Sequence, residues 1–202
     1  MLLVATHNSH KTEEIRAMLG DLFPVIDDLT SIPGAEPPVE DGSTFAENSA
    51  IKALAASRER PDAFILADDS GLEVDALDGA PGIYSSRFAG EDATDATNRE
   101  KLLVELGKPE HAGKERTGRF RCVVTVARNG EVIASFDGTV EGRIGDRIQG
   151  EGGFGYDPIF IPEGYEDSFG VLPEEVKNGM SHRGRALEQF RAWWKKESRE
   201  NA

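Results

Sequence analysis

The sequence predicts an α/β fold built around a mixed β-sheet, and three observations carry that expectation. In the first half, short apolar runs alternate with stretches of helical periodicity. In the middle, two β-rich runs flank an Asn-Gly pair. At the end lies an amphipathic segment with a broad apolar face.

Taken in order, residues 2–6, LLVAT, read as a short buried strand. A helix follows over Lys11–Leu19, with Ile15, Met18 and Leu19 on one face and Gly20 as its stop. The spacing of Thr44 and Glu47 is that of a capping box, and it opens an alanine-rich helix that runs to the break at Pro61. Residues 63–67, AFILA, form the next strand, and a third helix spans about Ala96–Leu106, closed by Gly107 and Pro109. The run RFRCVVTVARNGEVIASFDGTVEGRI predicts a hairpin turning at Asn129-Gly130. DPIFIP is strand-like. The last helix runs from Arg183 to about Glu197, with Leu187, Phe190, Trp193 and Trp194 as its apolar face.

With 202 residues the chain suits a single domain, 1–202, or two lobes around one cleft. At 38% hydrophobic and 30% charged residues it has the balance of a soluble globular protein. It carries neither an apolar run long enough to span a membrane nor a signal-peptide pattern at MLLVATHNSHK, so a cytoplasmic location is expected. The single cysteine, Cys122, permits no internal disulfide and reads as a buried strand residue. A net charge of −14 argues against wrapping a nucleic acid polymer, because a phosphate-binding surface needs excess Lys and Arg. Any anionic ligand must be met by a local cation or a metal.

Five stretches can carry chemistry. ATHNSHK, residues 5–11, is a polar turn at a helix start. It can offer backbone N–H groups, Thr6, Asn8 and Lys11 to a phosphate, or it can be a surface turn whose Asn or Ser caps the helix. In VEDGSTFAEN, Glu40 and Asp41 precede the capped helix, where the helix dipole alone accounts for acids unless a partner elsewhere makes them metal ligands. In ADDSG, Asp68 and Asp69 are expected at the carboxyl end of a buried strand, facing water, a cation or a hydrogen-bond network, because uncompensated burial of both would cost several kcal/mol. Alternation sends the two to opposite sides, so that one serves structure and the other a cleft. GEGGFGYDPIF holds four glycines within residues 150–155 and two rings, Phe154 and Tyr156, that can stack a planar base or tuck into the core. VKNGMSHRGRA brings Lys177, His182 and Arg183 to the start of the last helix, suited to an anion or a base carbonyl. Together the five describe a nucleotide held through magnesium.

THNSHK, TFAENSAIKA, ADDSGLEVDALDGAPGIYSSRFAGEDATD, GGFGYDPIF and SHRGRAL, in that order, closely resemble the inosine triphosphate pyrophosphatase or Ham1-like family. The resemblance covers residues 3 to about 190. It implies a two-lobed α/β fold with a long mixed central sheet flanked by helices, a cleft between lobes, a homodimer, and Mg²⁺-dependent hydrolysis of ITP, dITP and XTP to the monophosphate and pyrophosphate, which cleanses the nucleotide pool. It implies that Thr6, His7, Asn8, Ser9, His10 and Lys11 grip the phosphates and that Glu40 and Asp69 bind Mg²⁺. Asp69 would be the general base, supported by Asp68, with Ser70 touching substrate. Phe154 would stack on the purine, with Gly155, Tyr156 and Asp157 completing that loop, while Lys177, His182 and Arg183 contact phosphate, base and the 6-keto oxygen. The first loop departs from the family's common glycine-containing pattern by having His7 and His10. These two suggest zinc only with a further ligand, and no Cys or third His stands nearby in sequence. Other readings are a Maf-type pyrophosphatase acting on dTTP or UTP, a nucleotide-binding regulator without catalysis, and a purely structural or interaction domain.

Overall fold

The computed structural model describes residues 1–32 and 34–200. Six strands form one mixed sheet: β1 (Leu2–Val4), β2 (Ile26–Asp28), β3 (Phe64–Val74), β4 (Thr117–Arg128), β5 (Glu131–Ile144) and β6 (Phe160–Pro162), in the order β2-β1-β3-β4-β5-β6. β1 lies parallel to both β2 and β3, while β5 and β6 are antiparallel. Five helices accompany them: α1 (Ser9–Leu19), α2 (Phe45–Glu59), α3 (Asp95–Leu106), α4 (Glu174–Met180) and α5 (His182–Glu200). Among the described residues no helix is long and apolar enough to cross a membrane.

The expected α/β class and mixed sheet are present. Local chemistry sets most element ends. Asn8 accepts the Lys11 N–H at 3.2 Å, so α1 begins at Ser9 rather than Lys11. Thr44 accepts the Glu47 N–H, and Glu47 reaches back to the N–H and hydroxyl of Ser43. Thr94 and Thr97 form a reciprocal box that starts α3. The hairpin turns on Asn129 and Gly130 at φ 52° and 77°, the pair of left-handed residues that a two-residue turn between twisted strands requires. β2 and α4, at three and seven residues, were not expected from periodicity. DPIFIP splits into a 3-10 turn over Asp157–Ile159 and the short β6.

One expectation is overturned. β3 does not end at Ala67 but continues to Val74, so Asp68 and Asp69 sit inside a strand. Burial of carboxylates there is tolerated because cations meet them, as described below.

The chain divides into two compact units. The first comprises Met1–Asp69, Cys122–Gly138 and Arg183–Ala202. Its core packs Leu2, Val4, Ile15, Leu19 and Leu66 with Cys122, Val124, Leu187 and Phe190, and Trp193 and Trp194 lie against it. Trp194 meets Phe23 and Phe64, each at 4.7 Å between ring centres. The second unit comprises Ser70–Arg121 and Thr139–His182, with a core of Leu72, Val74, Leu102, Phe120, Phe160 and Phe169.

Candidate active site

In the first unit, the middle of β3 carries Asp68 and Asp69 toward different partners. Asp68 is buried at 2% exposure and is ringed by cations. Arg183 donates to it from Nε at 3.2 Å and Nη2 at 2.8 Å, and Lys11 Nζ lies at 3.1 Å. Burial by itself would raise this carboxyl. Lys11, Arg183 and Lys52 outweigh burial and hold it well below the usual carboxylate range. Arg183, 1% exposed, also donates to Glu14 of α1 at 2.6 Å. A buried chain Glu14–Arg183–Asp68–Lys11 thus links both ends of α1's first turns to the strand. Cys122 is buried beside it, its sulfur 3.8 Å from Asp68, and burial pushes the thiol far up, as suits a strand residue and not a nucleophile.

Asp69 faces another way. Lys52 Nζ lies 3.0 Å from its Oδ1 and 3.1 Å from Glu40 Oε2, so two carboxylates meet at one cationic point. Burial raises the Asp69 carboxyl above its ordinary value and Glu40 adds to this, against the opposing pull of Lys52 and Lys11. Burial alone would lower Lys52, but Asp69, Asp68 and Glu40 hold it above the ordinary lysine value. Lys52 is the member of this cluster that the sequence did not mark as a candidate. It sits in an alanine-rich helix, where a lysine is ordinarily a solvated residue, and only Glu40 and Asp69 mark it out.

At the turn before α1, Asn8 spends its side-chain oxygen on the Lys11 N–H and its own N–H on Thr6 Oγ1 at 3.1 Å. Of the two readings of this turn, the capping one is observed: Asn8 caps the helix, whose first turn has no acidic residue. His7 and His10 are exposed, with His7 Nε2 hydrogen-bonded to the Ala35 carbonyl at 3.0 Å. Among the described residues no three His, Cys, Asp or Glu side chains gather as metal ligands, so His7 and His10 gain no third ligand for zinc there.

In the second unit, a ring and a lysine are built into one loop. Asp157 Oδ2 accepts from Lys177 Nζ at 2.7 Å and from the Phe154 N–H at 2.9 Å. The Lys177 ammonium also lies 5.0 Å from the Phe154 ring centre. Gly153, at φ 70°, has no room for a side chain, since a Cβ would run into the Asp157 carboxylate. Tyr156 is buried and donates its hydroxyl to the Ser85 carbonyl at 2.8 Å, so of the two rings only Phe154 remains partly exposed. His182 is 5% exposed and lies stacked on Phe120, 4.8 Å between centres and 14° between planes. Ser70, half-buried, is the first residue of this unit.

The chemistry splits accordingly. The first unit gathers Lys11, Glu40, Lys52, Asp68, Asp69 and Arg183, a set fit for phosphates and a hard cation. The second gathers Phe154, Asp157, Lys177 and His182, a set fit for a flat heterocycle.

Comparison with known proteins identifies the family. The model of the Ham1 family matches residues 2–193. A protein named dITP/XTP pyrophosphatase from Desulforamulus reducens is 47% identical over 189 residues, covering 93% of this chain and 92% of the relative. One of the same name from Halalkalibacterium halodurans is 46% identical over 193 residues, covering 95% and 97%. The solved structure of a HAM1 protein from Coxiella burnetii is similar with a TM-score of 0.86 at 37% identity, covering 96% of this chain and 98% of that one.

Proposed function

The chain belongs to the Ham1 family, and on that premise we propose that it is a nucleoside triphosphate pyrophosphohydrolase acting on dITP, XTP and ITP, with Mg²⁺ as its cofactor. The observation that carries the reading is the pair Glu40 and Asp69, whose carboxylates converge on one cationic point.

That convergence is the test of whether a metal fits. Two hard oxygen donors around an ammonium suit Mg²⁺, which needs few protein ligands when phosphate oxygens and waters complete its shell. Glu40 and Asp69 would hold the ion. When bound, it supplies positive charge to the phosphate oxygens. The remaining work falls to the chain's own groups. Asp69, beside the ion it would help to hold, would take the proton of the attacking water. Lys11 and Lys52 bring fixed charge to the phosphates, which is most of what phosphoryl transfer asks of a protein. The N–H groups of the turn before α1 add contacts at the helix N-terminus. Water adds across the α–β anhydride, and the monophosphate and pyrophosphate leave.

The purine base is assigned, within the same proposal, to Phe154 and its neighbours. Phe154 stacks on the purine, Lys177 and Asp157 brace the ring, and Ser70 touches the substrate. His182 and Arg183 are the residues that the resemblance assigns to the 6-keto oxygen. A donor directed at that oxygen is satisfied by hypoxanthine or xanthine and left unpaired by the 6-amino group of adenine.

The test is pyrophosphate release from a panel of nucleotides with Mg²⁺. We expect ITP, dITP and XTP to turn over at least about a hundredfold faster than ATP, the scale of rejection that an unpaired buried donor gives. Equal turnover of the whole panel, or release of orthophosphate in its place, contradicts the proposal.

A further inference from the structure

The stacking loop is held from outside by two residues of α3, and we propose that Asp95 and Arg99 are positioning residues that clamp one peptide unit of this loop and thereby set the affinity for the purine; this rests on the function proposed above. Gly155 donates its N–H to Asp95 Oδ2 at 2.7 Å and receives Arg99 Nη1 on its carbonyl at 2.6 Å. Both bonds are charge-assisted and are thus among the stronger kinds. The two side chains stand four residues apart and so share one face of α3.

Several observations show that this grip is needed. Gly150, Gly153 and Gly155 all have positive φ, at 78°, 70° and 58°. Such a stretch has many alternative backbone states and loses much entropy on ordering. Close packing fixes the first part of the loop, where a Cβ on Gly150 or Gly153 would run into Gly170 or Asp157. At Gly155 a Cβ would meet nothing, and a pocket of about 310 Å³, lined by Asp95, Arg99, Ile148, Glu151, Phe154 and Pro158 among others, lies alongside, so hydrogen bonds hold this peptide. Asp157 secures the Phe154 N–H and Tyr156 anchors through Ser85, which leaves the peptide groups of Gly155 to α3.

Neither residue is spent on the helix itself. Thr94 and Thr97 already close the start of α3, so the Asp95 carboxylate is not its cap. Arg99 Nε lies buried and has no hydrogen-bond partner among the described residues, a cost accepted while Nη1 reaches Gly155. The stacking ring is the neighbouring residue, so freeing Gly155 lets Phe154 leave its place.

The experiment measures kcat and KM for ITP together with amide exchange at Phe154–Asp157 in the wild type, Asp95→Ala, Arg99→Ala, Arg99→Lys and the double Ala variant. Loss of one charged hydrogen bond predicts a KM raised roughly tenfold with kcat within about threefold, because the phosphate chemistry is untouched. Arg99→Lys, which keeps a cationic donor, recovers most of the loss. The double variant costs less than the two single changes combined, since both act on one peptide. Exchange at the Gly155 amide speeds up at least about tenfold in Asp95→Ala. Asp95→Leu and Arg99→Met, which remove the polar atoms and keep the bulk, serve the same purpose should either Ala variant unfold. Unchanged KM and unchanged loop exchange in both single variants overturn the clamp, as does an equal fall in kcat with no rescue by lysine. If the wild type itself releases no pyrophosphate from ITP, the proposed function fails, and exchange at the loop alone then decides whether the clamp exists.

Discussion

Lys52 illustrates how a residue gains meaning from its neighbours. By itself it is a lysine in an alanine-rich helix, and its place in the run TFAENSAIKA says nothing about what its ammonium meets. In the structure its head bridges Glu40 and Asp69, where those two carboxylates would otherwise repel. In the proposed mechanism it keeps the pair together before a nucleotide arrives and then offers its charge to the phosphates. Lys52→Gln keeps the chain length and removes the charge. We expect kcat for ITP to fall about a hundredfold or more, the usual cost of losing one fixed charge aimed at a transition state, and the melting temperature to fall as well, because Glu40 and Asp69 lose their counter-charge. Near wild-type kcat in Lys52→Gln would show that the ammonium only balances the acids. Asp69 and Glu40 were legible as candidates because acids next to a buried strand or a capped helix need an explanation. Arg99 and Asp95 were not, because their partner Gly155 lies 56 and 60 residues away.

Among the elements, those fixed by local chemistry were the legible ones. The Asn129-Gly130 hairpin, the Thr44 start of α2 and the Gly107 end of α3 depend on residues within a few positions of each other. β3 shows the opposite case. Its apolar run stops at Ala67, and two acids in succession read as a strand end. The strand nevertheless goes on to Val74, because Lys11 from α1 and Arg183 from α5, the latter 115 residues distant, neutralise Asp68 within the sheet. No local pattern reports such compensation.

A pH dependence follows with a definite sign. The Asp68 carboxyl is held below its unfolded value of about 3.9, so its contribution to stability is fully present above that pH. As the pH falls below about 4, the unfolded chain takes up a proton that the native chain does not, and stability declines by up to about 1.4 kcal/mol per unit from this group. Asp68→Asn removes that part of the slope. It also leaves buried Arg183 and Lys11 short of a counter-charge and should cost about 3–5 kcal/mol at neutral pH. Urea unfolding at pH 7 and at several points below 4 checks both. Equal slopes in the two proteins would show that Asp68 does not stay ionised in the fold.

For the molecule as a whole, composition excluded more than it identified. The net charge of −14 set aside a nucleic acid polymer and directed attention to local cations, and the two basic sets found, Lys11, Lys52 and Arg183 in one unit and Lys177 in the other, are such local exceptions. That the motifs ATHNSHK, ADDSG and SHRGRAL serve one first-unit set, through Lys11, Asp68, Asp69 and Arg183, could be read only as a resemblance, since their spacing along the chain carries no distance in space. The central claim is that Glu40 and Asp69 form the metal and water-activating centre of a pyrophosphohydrolase. The most direct test is pyrophosphate release from ITP by the wild type and by Asp69→Asn as Mg²⁺ is raised from zero. We expect a wild type silent without Mg²⁺ and active with it, and an Asp69→Asn protein that is folded but at least about a thousandfold slower at every Mg²⁺ concentration that activates the wild type, as loss of both base and ligand requires. Wild-type rates from Asp69→Asn, or full activity in the absence of divalent metal, would contradict it.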